Sequence, residues 1–164
     1  MIKSVKGVFV VLVFSSLLSL SFEKESMTTE RLVPGDKFPE LVLCDTEQPL
    51  NLLAADGQYT LLSFWASYDA ASREKNAALS HLAQQSGRVK MVSVSFDRYA
   101  SIYRASMKQD GLSEADCHHE TAGSDSETFR YFRLEQGFRN YLLDGEGRVV
   151  ALNVSPKDLV SYLR

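Results

Sequence analysis

The sequence predicts an α/β domain: a mixed central sheet with helices on both faces. Three observations carry this. Thr60–Trp65 and Val89–Phe96 are nearly continuous apolar runs of strand length, the pattern of strands covered on both faces. Between them Ala71, Ala78, Leu79, Leu82 and Ala83 repeat at helical spacing, which makes the segment a β-α-β unit with adjacent parallel strands. Tyr141–Leu143 and Arg148–Leu152 flank the turn Asp144-Gly-Glu-Gly147, a hairpin signal that adds antiparallel strands.

The chain divides into three parts. Lys3 and Lys6 precede an apolar run of 14 residues, Gly7–Leu20, which is short for a membrane span and suited to a signal peptide. Ser19 and Ser21 are small residues at the −3 and −1 positions of a cleavage site, so residues 1–21 are expected to be an export signal, cleaved or retained as an anchor. Residues 22–36 are polar and read as a linker. Residues 37–164 form one domain, long enough for a single buried core.

Within the domain, Leu41–Leu43 and Leu50–Leu53 are short strand candidates, joined by Asp45–Pro49 into an N-terminal β-hairpin; Asp56-Gly57 marks a further turn. The helix after Tyr68 should start at Asp69 and stop at Gly87. Asp97 is placed to cap a second helix with Tyr99, Ile102, Tyr103 and Met107 on one face, ending at Gly111. A short strand is expected near Cys117. Ser124-Asp-Ser-Glu127 fits a capping box ahead of Phe129 and Phe132. Ser155-Pro156 starts a last short helix.

Hydrophobic content of 45% and charged content of 24% are ordinary for a globular protein. Losing Lys3 and Lys6 with residues 1–21 takes the formal net charge from −3 to −5. That acidity, with no Lys/Arg cluster, argues against nucleic acid as a partner. After cleavage no membrane span is expected. No cofactor motif stands out, so the expected partner is a protein or peptide of unknown identity.

The two cysteines, Cys44 and Cys117, are 73 positions apart, and neither belongs to a Cys-x-x-Cys motif. Outside the cytoplasm the pair permits one disulfide, or leaves two free thiols. Asp116-Cys-His-His-Glu120 is written entirely in metal-ligand letters. On a strand its neighbours point to opposite faces, and no second ligand pair follows at zinc-site spacing, so no metal site is expected.

Three segments together resemble the thioredoxin-like superfamily, in its branch of exported thiol–disulfide oxidoreductases and AhpC/TSA-type (peroxiredoxin) proteins. Phe64-Trp-Ala-Ser67 and Tyr68 look like the strand end before the active site. Arg73-Glu74 looks like the helix that follows. Tyr141-Leu-Leu-Asp144, Gly-Glu-Gly-Arg148 and Val-Val-Ala151 look like the late hairpin. The resemblance implies a thioredoxin-like fold over Asp36–Arg164, and it puts the family's two catalytic cysteines at Asp69 and Ser72 and its cis-proline at Phe138. All three marks of dithiol chemistry are thus replaced, and the Cys-x-x-Cys becomes Asp69-Ala-Ala-Ser72.

Dithiol exchange needs one thiolate to attack and a second thiol to resolve the mixed disulfide. Asp69 does neither; it is a strong helix cap. Ser72 as a nucleophile would need a positioned base, and His81 lies more than two turns along the same helix. Phe138 is expected either in the core or as a contact on a binding groove. The expected function is therefore a redox-silent thioredoxin-like protein of the cell envelope that acts by binding or as a scaffold. The alternative is a thiol-dependent oxidoreductase or peroxidase that uses Cys117, with or without Cys44.

Overall fold

The computed structural model describes residues 32–55 and 58–163. The expected signal segment 1–21, most of the linker and the Asp56-Gly57 turn lie outside the described residues. Five strands form one sheet: β1 Tyr59–Trp65, β2 Val89–Ser95, β3 Cys117–His119, β4 Asn140–Leu143 and β5 Val149–Leu152. Their order is β3-β2-β1-β4-β5. β1, β2 and β3 are mutually parallel neighbours, whereas β4 is antiparallel to both β1 and β5. The helices are α1 Ala70–Ser86, α2 Ala100–Asp110, α3 Glu127–Tyr131 and α4 Pro156–Tyr162.

Alternation along β1 divides the core. Leu62 and Phe64 join Phe96, Phe129, Phe132 and Tyr141 on one face of the sheet. Leu61 packs on the other face with Leu79 and Ala83 of α1 and Leu159 of α4. Trp65 extends that second face toward Tyr103 and Met107 of α2. α1 starts at Asp69 and ends at Gly87, whose φ of 63° is open to glycine at little cost.

Several elements differ from expectation, each for a local reason. Leu41–Leu43 and Leu50–Leu53 add no strand to the sheet; the Leu50 amide donates to the Leu41 carbonyl at 2.8 Å, and the segment otherwise runs as loop over the phenylalanine face. Residues Gly35–Lys37, at the boundary of the expected linker, bond to β5: the Gly35 amide donates to the Val149 carbonyl and the Val149 amide to the Asp36 carbonyl. α2 begins after Tyr99 without a side-chain cap, because Asp97 turns inward. Ser126 rather than Ser124 caps α3, since residues 123–125 form a 3₁₀ turn. α4 has the full capping box of Ser155 and Asp158. No helix among the described residues is long and apolar enough to cross a membrane.

Candidate functional site

The chain leaves β1 at Trp65, turns through Ala66–Tyr68 and enters α1. The turn is anchored from below. The Ser67 amide and hydroxyl donate to Asp97 Oδ1 at 2.9 and 2.5 Å, and the Ser95 hydroxyl donates to Asp97 Oδ2 at 2.8 Å. Asp97 is 2% exposed. A carboxylate this deep is tolerable only when its oxygens are met by donors, and here neutral groups meet both.

Above this anchor Asp69 caps the helix. Its carboxylate accepts the Ser72 amide at 2.7 Å, and the Ser72 hydroxyl donates to the Asp69 carbonyl at 3.0 Å. The Ala66 amide in turn donates to Ser72 Oγ at 3.4 Å. Both side chains are thus engaged with backbone. His81, the base that a Ser72 nucleophile would need, instead has its Nε2 at 3.1 Å from the Asp110 carbonyl.

Asp69 and Ser72 line a cleft of about 160 Å³ together with Lys75, Phe138, Arg139 and Asn140. The three positions singled out by the resemblance therefore meet in space. Phe138 follows Gly137, whose φ of 121° suits glycine, and is half-buried. Its ring lies 6.1 Å from Tyr68, 6.0 Å from Phe96 and 6.1 Å from Phe129. One side of Phe138 packs on the core and the other borders the cleft. Tyr68 is 66% exposed.

The two cysteines lie elsewhere. Both are free thiols, so the permitted disulfide is not formed. Cys44 is exposed, and its amide donates to Glu120 at 3.2 Å. Cys117 is buried against Trp65, Tyr103 and Met107, and burial pushes its thiol up to about 11. Neither lines the cleft. A nucleophilic thiol needs a depressed pKa and access, and Cys117 has neither.

The run Asp116–Glu120 comes apart in the same way. Cys117 joins the core. His119 stacks on Tyr103, with 4.7 Å between centroids, and its Nε2 is 2.5 Å from the Asp97 carbonyl. Glu120 is 1% exposed and accepts the Cys44 and Ala122 amides. Among the described residues no three His, Cys, Asp or Glu side chains converge as a metal site.

Sequence reasoning missed Asp97 and Glu120. The sequence reading makes Asp97 a helix cap and Glu120 the last residue of a run in which no site is expected. The available signal is position: Asp97 stands two residues after β2 and Glu120 directly after β3, both parallel strands, where the chain turns over their C-terminal edge.

No family model matches the chain, and no curated protein matches it. Solved structures do. A thioredoxin-like protein from Parabacteroides distasonis is 34% identical, with a TM-score of 0.71 over 80% of this chain and 95% of that one. A thiol-disulfide oxidoreductase from Bacteroides fragilis is 26% identical, with a TM-score of 0.60 over 80% and 97%. The thioredoxin domain of a thiol-disulfide oxidoreductase from Bacteroides vulgatus is 19% identical, with a TM-score of 0.63 over 80% and 95%, a likeness of fold alone. With the β-α-β unit, the late antiparallel hairpin and a relative of this identity and coverage, the chain belongs to the thioredoxin-like superfamily.

Proposed function

We propose that this is a redox-silent thioredoxin-like protein that acts outside the cytoplasm by binding a polypeptide partner, not by dithiol exchange. One observation carries the reading. At the turn between β1 and α1, the side chains facing the cleft are the Asp69 carboxylate and the Ser72 hydroxyl, and both are spent on capping the helix. Exchange requires two sulfurs at one place, one to attack and one to resolve. Here the only two thiols lie away from the cleft, one of them in the core.

What remains at the turn is a surface: an exposed Tyr68 whose ring lies near the half-buried Phe138, and a cleft that Phe138 lines together with residues of α1. Aromatic side chains around a cleft, held by a rigid sheet, suit recognition. The basic and apolar N-terminal segment, Lys3 to Leu20, supports action beyond the cytoplasmic membrane.

Reduction of insulin disulfides tests the reading. The wild type is expected to match the buffer control, and the double variant Asp69→Cys/Ser72→Cys to gain measurable activity. Wild-type reduction as fast as the double variant overturns the proposal.

A further inference from the structure

A second groove opens beside Tyr68. It has a volume of about 290 Å³, and its lining includes Ser67, Tyr68, Asp97, Arg98, Tyr99 and Ile102. It sits over the C-terminal ends of β1 and β2, the edge where parallel sheets commonly take ligands. Three of its residues are large, apolar and open to solvent: Tyr68 at 66%, Tyr99 at 62% and Ile102 at 46% exposed. Exposed apolar groups gathered around one concavity mark an interaction surface.

The charge of the groove narrows what fits. Asp97 meets only neutral donors, and no Lys, Arg or His pairs with its carboxylate among the described residues. His119 approaches the Asp97 backbone carbonyl instead. Arg98 at the rim lies 3.8 Å from Asp125, so these two exposed charges offset each other. What is left is the negative charge of Asp97 in a groove lined by two tyrosines; its field also reaches the Arg73 guanidinium, which is already paired with Asp110. The Tyr68 phenol registers it: burial raises its pKa first, then the fields of Asp97 and Asp69. A buried charge acts through less water than a surface one and is screened less by salt.

We propose that this groove takes a lysine or arginine side chain of a polypeptide partner. The alkyl stem lies along Ile102 and the tyrosine walls, and the cationic head meets the tyrosine faces and the field of Asp97. An acidic side chain is repelled there, and a neutral one gains nothing from Asp97. The inference rests on the binding reading above and gives its partner a chemistry.

Blocked tripeptides of the form Ala-Xaa-Ala, with Xaa as Arg, Lys, Glu or Leu, provide the test. Each is titrated into the protein while the NMR signals of Tyr68, Tyr99 and Ile102 are followed. The Arg and Lys peptides are expected to shift these signals saturably, with the Glu peptide at least about tenfold weaker. Asp97→Asn should weaken the Arg peptide about tenfold. Should that variant fail to fold, two exposed positions carry the test: Arg98→Glu tightens the Arg peptide several-fold, and Tyr99→Ala weakens it.

Equal binding of the Glu or Leu peptide overturns the inference. So does an Arg-peptide affinity unmoved by Asp97→Asn or by both exposed variants, or the absence of any shift. Those results leave the redox-silent reading standing, because insulin reduction by the wild type tests that reading separately.

Discussion

The Asp69 carboxylate holds the Ser72 amide at 2.7 Å while the Ser72 hydroxyl returns a bond to the Asp69 carbonyl at 3.0 Å. The pair closes the first turn of α1 from both ends. An amide that would otherwise be orphaned is satisfied, and the carboxylate sits at the positive end of the helix dipole. Asp69→Ala should therefore cost about 0.5–2 kcal/mol, and Asp69→Asn much less, because Asn also caps well. Urea unfolding of the two variants measures the difference. Equal losses would mean that the cap contributes through charge alone.

Beneath α1 runs a buried chain of polar groups. The Trp65 indole donates to Ser93 Oγ at 2.8 Å, and the Ser93 hydroxyl donates to Asn76 Oδ1 at 3.0 Å. Asn76 Nδ2 and Ser80 Oγ have no hydrogen-bond partner among the described residues. Ser93→Ala removes the hub and leaves the indole N–H and the Asn76 carbonyl unmet, a loss of about 1–3 kcal/mol. Asn76→Leu removes an amide that is already half-satisfied and should cost less. Denaturation midpoints that rank the two variants the other way would contradict this account of the core.

These two networks mark what the sequence reveals and what it hides. Thr60–Trp65, Val89–Phe96 and the late hairpin are legible because apolar runs and glycine turns are local signals. The Asp69 cap and Gly87 stop are legible for the same reason. The meeting of Asp69, Ser72 and Phe138 in one cleft followed from the family resemblance, since no local pattern links positions so far apart. Asp97 was misread because an Asp just before a helix is ordinarily a cap. Its real partners are Ser67 and Ser95, and Ser67 belongs to a different strand end. The polar face of α1 was hidden too: Asn76 and Ser80 are buried beside Leu79 and Ala83, where periodicity had assigned Ala71 and Ala78.

Arg73 ties the two helices beside the site together. Its Nε and Nη2 each reach Asp110 at 2.7 Å, and Nη2 also reaches Gln109 at 2.9 Å. The side chains are 24% and 15% exposed, so the pair lies between surface and core. The two-pronged geometry belongs to the guanidinium, and lysine keeps the charge without the fork. Arg73→Lys should thus lose nearly as much stability as Arg73→Ala, about 1 kcal/mol. Thermal unfolding of both variants in low and high salt checks this. Full retention of stability by the lysine variant would show that charge, not shape, makes the link.

Cys117 provides the last prediction, and with it the test of the thiol alternative. Burial lifts its thiol from an ordinary 9.0 to about 11, and burial also raises the Tyr103 phenol packed beside it. The native state therefore keeps protons that the unfolded chain releases at lower pH. A raised native pKa contributes stability that is complete below the unfolded value and lost as pH climbs through the native one. Stability should accordingly hold up to pH 9.0 and fall between there and about 11. Urea midpoints across that range measure the fall, and Cys117→Ala should make it shallower, the raised Tyr103 phenol and Cys44 thiol keeping the remainder. The same burial predicts the chemistry. At neutral pH the native protein should be alkylated by iodoacetamide at the exposed Cys44 alone, with Cys117 reacting only after unfolding. Mass spectrometry of the labelled chain distinguishes the two sites. Rapid labelling or peroxide oxidation of native Cys117 would revive a thiol enzyme and displace the redox-silent reading.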